Sequence, residues 1–191
     1  MNVSPSSRSE ARRIRLRRAT AKAHAALEAV SGAAGDPRAL FAPWAYRRYL
    51  TAMHQARSRV ERELDAAGAE RLYPLWPRRR IAAELLQDRA DCGAALKGDE
   101  MEIDVEASCA AARAISGPAA IGRLYVLEGS ALGARVLLRA AMQTGLRGDH
   151  GARHLRAQLE PVHAWPTFVQ LLEEQAFSPE EEVLCEQAAL E

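Results

Sequence analysis

Apolar residues in this chain recur every three to four positions and nowhere alternate with period two for long enough to make a convincing strand, which predicts helices throughout. The first helix is expected over residues 9–31, with Ser9 at the N-cap and Gly32 as the stop. At about 100° per residue, Leu16, Ala19, Ala23, Leu27 and Val30 form one apolar stripe along it, and His24 sits on its border. After a turn over residues 32–38, Phe41, Trp44, Tyr46, Tyr49, Leu50, Met53, Val60 and Leu64 recur at helical spacing and predict an aromatic-rich core helix to residue 66. Gly68, Pro74 and Pro77 make 67–77 a loop, and Ile81, Leu85 and Leu86 mark a short helix after it. A loop and an alanine-rich helix are expected from Gly98 to Gly117. Ser116, Gly117 and Pro118 then open a longer helix, 118–144, and three pieces follow at about 149–159, 162–176 and 179–190, divided by Pro161 and by Ser178-Pro179.

With 191 residues the chain is long enough for one sizeable core and short for two, so a single all-α domain is expected over 10–191, behind a disordered tail at 1–9. Hydrophobic residues reach 48% and aromatics only 5%, with abundant alanine, which suits helices better than sheets. No apolar run approaches the roughly 20 residues that cross a bilayer, and the first nine lack the apolar core of a secretory signal. Cys92, Cys109 and Cys185 form no CxxC pair, so no disulfide framework is indicated and a cytoplasmic setting is expected. The net charge of +1 gives no pull toward nucleic acid, and no aromatics interleave with the basic residues. Charge is nevertheless uneven. Arg8, Arg12, Arg13, Arg15, Arg17 and Arg18 crowd the start, whereas the last twenty residues carry seven carboxylates and no Lys or Arg. Such a basic helix is either a solvated face or a holder of something acidic.

Two segments carry candidate chemistry. In helix 118–144, Gly129 and Gly133 stand four apart and so share one face, where each costs roughly 0.5–1 kcal/mol against alanine; a neighbouring helix or a flat ligand must approach there. In the first helix, Arg17, His24 and Glu28 share one bearing. A carboxylate one turn from a histidine orients one ring nitrogen and leaves the other for a metal. Elsewhere, His150 and His154 have a metal-clip spacing, weakened by Gly151 between them and by the lack of a third ligand. His54 and His163 read as core or surface residues. Glu128 is either a surface carboxylate or part of a pocket network.

The segments 16–28, reading LRRATAKAHAALE, and 124–133, reading LYVLEGSALG, resemble the proximal and distal signatures of the heme oxygenases, in the same order and about a hundred residues apart. The form is similar to the bacterial, bacteriophytochrome-associated branch, and Trp165, Phe168 and Leu172 resemble its closing helices, so the likeness spans roughly residues 12–190. It implies that His24 ligates heme iron, that Glu28 orients it and that Arg17 pairs with a propionate. It also implies that Gly129 and Gly133 let main chain lie against the porphyrin and oxygen, with Ser130 at the place where other branches hold the distal water network by an aspartate. The implied activity is oxygen-dependent cleavage of heme to biliverdin, iron and carbon monoxide. Electrons would come from a separate reductase or ferredoxin, and a bacteriophytochrome would be the biliverdin acceptor. Ala134 departs from the further glycine of many members and would favour the alternative, a heme-binding or heme-sensing protein of the same fold without turnover. The second basic propionate partner expected in the closing helices is not evident at residues 169–175.

Overall fold

The computed structural model describes residues 10–31, 35–94 and 115–191, and among these every regular element is helical. We number them α1 (Arg12–Ser31), α2 (Pro43–Ala66), α3 (Ala69–Leu72), α4 (Ala82–Asp91), α5 (Gly117–Ala131), α6 (Ala134–Gln143), α7 (Arg153–Ala157), α8 (Ala164–Glu174) and α9 (Pro179–Ala188), with 3-10 turns at Pro37–Phe41 and Trp76–Arg78. The expected N-cap Ser9, the stop at Gly32 and most of the alanine-rich helix before Gly117 lie outside the described residues. Helix starts follow local chemistry. Ser116 accepts a hydrogen bond from the Ala119 N–H ahead of Pro118, and Ser178 forms a reciprocal capping box with Glu181 ahead of α9.

Two apolar clusters hold the helices together. One joins Leu16 of α1 to Leu64, Leu124, Phe168 and Leu172; the other joins Leu50 of α2 to Phe41, Leu85, Ala134 and Leu155. The closest crossing is α5 on α9. A Cβ on Gly122 would overlap the Cys185 carbonyl oxygen and stand 3.2 Å from the Ala189 nitrogen, so only a bare main chain fits there.

Part of the uneven charge is resolved within the chain. The Arg12 guanidinium is nearly buried; it donates to Glu182, to the Gln175 carbonyl at 3.0 Å and to the Leu172 carbonyl, while the Arg12 and Arg13 N–H groups donate to Glu173 at 3.0 and 2.9 Å. Arg15 pairs with Glu186 at 2.5 Å. The acidic partners of these three arginines are thus the end of α8 and the C-terminal helix α9, which fix the start of α1. Arg12→Ala strips several buried acceptors of their donor and is expected to cost about 2 kcal/mol, measured by urea unfolding.

Five expectations are corrected, the first being the loop at 67–77, which contains α3 and the start of the 3-10 turn at Trp76–Arg78. Helix 118–144 is two helices, α5 and α6, because hydrogen bonds at Leu132 and Gly133 shorten to the i−3 pattern, at 3.2 and 3.3 Å to Gly129 and Ser130. The 149–159 helix shrinks to α7, since Arg147 to Gly151 form a turn with isolated bridges. Trp44 is not core: it is 64% exposed on the first turn of α2, turned away from the buried Tyr46 and Leu50. The apolar stripe of α1 is buried at Leu16 and open beyond it, with every residue from 21 to 29 exposed and Leu27 at 71%. The Val30 side chain lies outside the described residues.

Candidate functional site

Past its anchored first turns, α1 carries His24 with the side chain 73% exposed and Nδ1 3.5 Å from Glu28 Oε1. The i, i+4 spacing makes this pairing possible, with Nδ1 on the side of the carboxylate. Arg17, two turns earlier, is exposed.

On α5 the glycine face is bare. The nearest atom to a Cβ on Gly129 would be the Trp165 ring at 4.0 Å, and on Gly133 only the Ser130 carbonyl at 3.8 Å, within the same helical stretch. The small-residue crossing that glycines on a helix suggest is therefore made by Gly122, seven residues earlier, and no described residue packs tightly on Gly129 or Gly133. Ser130 is exposed and its hydroxyl donates back to the Leu127 carbonyl at 2.8 Å. Ala134 is buried in the second apolar cluster, so its methyl group points into the core and does not narrow the face bearing Gly133.

The two segments meet through Tyr125, one turn before Gly129. Its phenol lies beside the hydroxyl of Thr20, one turn before His24, and near the charges of Arg17 and Arg13; burial raises its pKa, and those three neighbours oppose the rise. The Tyr125 phenol thus faces the cationic edge that Arg17 and Arg13 form on α1. Its ring also packs on Trp165 with centroids 6.1 Å apart. Thr20 and Tyr125 mark the point from which the next turn of each helix carries His24 and Gly129.

Glu128 belongs to a buried network. Its Oε1 accepts from Arg79 Nε at 2.8 Å, with the two side chains 2% and 5% exposed. Sequence reasoning missed Arg79, which stands in a run of three arginines that looks like surface, with its partner 49 residues away in sequence. Tyr125 and Gly122 were missed as well, although Gly122, Gly129 and Gly133 at spacings of seven and four carry a signal for one glycine-rich face.

The remaining candidates are structural. His154 is buried and its Nδ1 is 2.8 Å from Asp88, whose carboxylate also accepts the Arg153 and His154 N–H groups at the start of α7. His150 is exposed on the preceding turn beside Asp91, so the two histidines share no helix face, and no cluster of metal-binding side chains occurs among the described residues. His54 is buried against Ser58 and Arg89, and His163 is exposed ahead of α8. Two surface depressions, one beside Arg47 and Thr51 and one beside Arg62 and Pro77, are lined by neither His24 nor the glycine face.

The family model for heme oxygenase matches residues 11–191. A heme oxygenase from Neisseria meningitidis, solved in NO- and CO-bound forms, shares this fold with a TM-score of 0.70 and 24% identity, over 95% of this chain and 86% of that one. Among curated proteins none matches the sequence. With an all-α fold of this kind and a family match over nearly its whole length, the chain belongs to the heme oxygenase family. It is accordingly a heme-degrading oxidoreductase, and no helix among the described residues is long and apolar enough to cross a membrane.

Proposed function

We propose that this chain cleaves heme to biliverdin, carbon monoxide and iron, holding it between His24 on α1 and the Gly129–Gly133 face of α5. The observation that carries this reading is a pair of unfilled surfaces: two helix glycines without a packing partner, and an apolar stripe left exposed around a histidine one turn beyond the Thr20–Tyr125 contact. A flat macrocycle with an iron centre and an anionic edge fits that set of groups. Its apolar plane suits Leu27 and bare main chain, its iron suits the His24 lone pair, and its carboxylates suit Arg17 and the Tyr125 phenol. Bound heme supplies the redox chemistry, with O2 and electrons from a reductase or ferredoxin.

The chain's own residues do the rest. His24 offers Nε2 as ligand while Glu28 fixes the ring orientation. The absence of side chains at Gly129 and Gly133 keeps space open on the opposite side, and the exposed Ser130 hydroxyl, which donates to the Leu127 carbonyl, keeps its oxygen as an acceptor for water that delivers protons. Ala134 is buried away from the Gly133 face, which supports turnover over the alternative of a binder of the same fold. The bacteriophytochrome acceptor and the cytoplasmic setting rest on the sequence reading alone.

Purified protein mixed with hemin is expected to give a Soret band and, with reductant and oxygen, biliverdin identified by chromatography. Gly133→Leu is expected to keep the band and lower turnover by about tenfold or more, since a side chain on that face blocks the reacting space. A normal rate in this variant would remove the distal assignment, and a wild-type protein that binds hemin without producing biliverdin would identify a binder.

A further inference from the structure

We infer that the buried Arg79–Glu128 pair is a positioning device that sets where the Gly129–Gly133 main chain stands against Trp165, and so governs turnover without touching heme. This rests on the heme-cleavage reading above. Glycines 129 and 133 have no side chains with which to lock their own segment, so its placement must be imposed by neighbours. Glu128 is the residue immediately before that face, and its carboxylate is held inside the protein by Arg79 Nε at 2.8 Å. The same guanidinium reaches the other wall: Nη1 donates to the Gln158 carbonyl at 3.1 Å and to the Glu160 carbonyl, on the segment leading into α8. That helix carries Trp165, the closest side chain to Gly129. One side chain therefore grips both walls of the distal face.

Arg79 is itself fixed from behind. Its carbonyl accepts from Arg57 Nη2 at 2.7 Å, Arg57 Nε pairs with Glu61 at 3.0 Å, and Glu61 accepts the Ile81 and Ala82 N–H groups at 2.9 and 3.3 Å. A chain of buried charges thus runs from α2 through the loop before α4 to α5. Burying such pairs is seldom more stabilising than packing apolar groups of equal volume, which directs attention to geometry as their use here. Glu128 also lies beside the Tyr73 phenol, whose pKa burial and this carboxylate raise and whose hydroxyl donates to the Ala164 carbonyl at 3.2 Å, next to Trp165.

The test compares Glu128→Gln with the double variant Arg79→Met/Glu128→Leu, each as ligand-free and hemin-loaded protein. Glu128→Gln keeps the volume of the side chain, so the packing persists, but removes the charge that pairs with Arg79 and so weakens the link. It is expected to bind hemin within about threefold of wild type and to lower kcat by about tenfold or more, with a shifted C–O stretch in the CO complex. In the ligand-free variant, amide exchange is expected to quicken together in residues 127–133 and 158–165, with the other helices unchanged. The double variant is expected to recover the melting temperature but not the turnover. Recovery of both, or loss of turnover only in proportion to lost stability, would show a merely structural pair and overturn the inference. Wild-type protein without a hemin Soret band would instead overturn the heme reading and the inference together.

Discussion

Replacing His24 by alanine is expected to leave the melting temperature almost unchanged and to abolish heme degradation. The side chain is 73% exposed and its recorded partner is the exposed Glu28, so its removal leaves no cavity and no buried unpaired group. The functional loss is large because this exposed histidine, at the edge of an apolar stripe, is the one imidazole on α1. Turnover is expected to fall by at least about a hundredfold, and the Soret band to move and partly return when free imidazole is added. Titration with hemin, with and without imidazole, followed by the turnover assay checks this. An unchanged Soret band and rate would assign the iron to another ligand.

The second large effect contrasts two glycines of one helix. Gly122→Ala is expected to destabilise the protein by about 3 kcal/mol or more, because the added methyl collides with main chain of α9 and a backbone carbonyl cannot rotate aside as a side chain can. Gly129→Ala has room, with its nearest neighbour at 4.0 Å, and replaces glycine in a helix interior by a better helix former. It is expected to be neutral or to gain up to about 1 kcal/mol while lowering turnover severalfold. Chemical denaturation and steady-state rates on both variants give four numbers whose pattern separates the packing glycine from the ligand-facing one. If Gly129→Ala were the destabilising substitution and Gly122→Ala the silent one, the division of roles would be reversed.

Much of this architecture was legible in the sequence because helical periodicity and breakers are local. Ser116-Gly117-Pro118 and Ser178-Pro179 opened helices where expected, and Leu16, Leu64 and Phe168 took their core positions. The break at Leu132–Gly133 was less legible, since both residues keep helical backbone angles and only the hydrogen bonds tighten. The His24–Glu28 and Gly129–Gly133 pairs could be read because the members of each stand four residues apart on backbone that keeps helical angles. What joins them could not. The Tyr125–Thr20 meeting, the Arg79–Glu128 pair and the Arg12–Glu182 clamp link residues far apart in sequence, and a charge run such as Arg78-Arg79-Arg80 looks the same whether solvated or buried. Ala134 could be read only as a departure from a family pattern, and its burial in the second apolar cluster depends on helices far from it in sequence.

The most direct measurement is a crystal structure of the ferric hemin complex. The porphyrin is expected to lie with its iron bonded to His24 Nε2, its other face against the main chain of Gly129 and Gly133, and a carboxylate edge toward Arg17 and Tyr125. Iron bound to any other residue, or side chains filling the space between His24 and the glycine face, would contradict it.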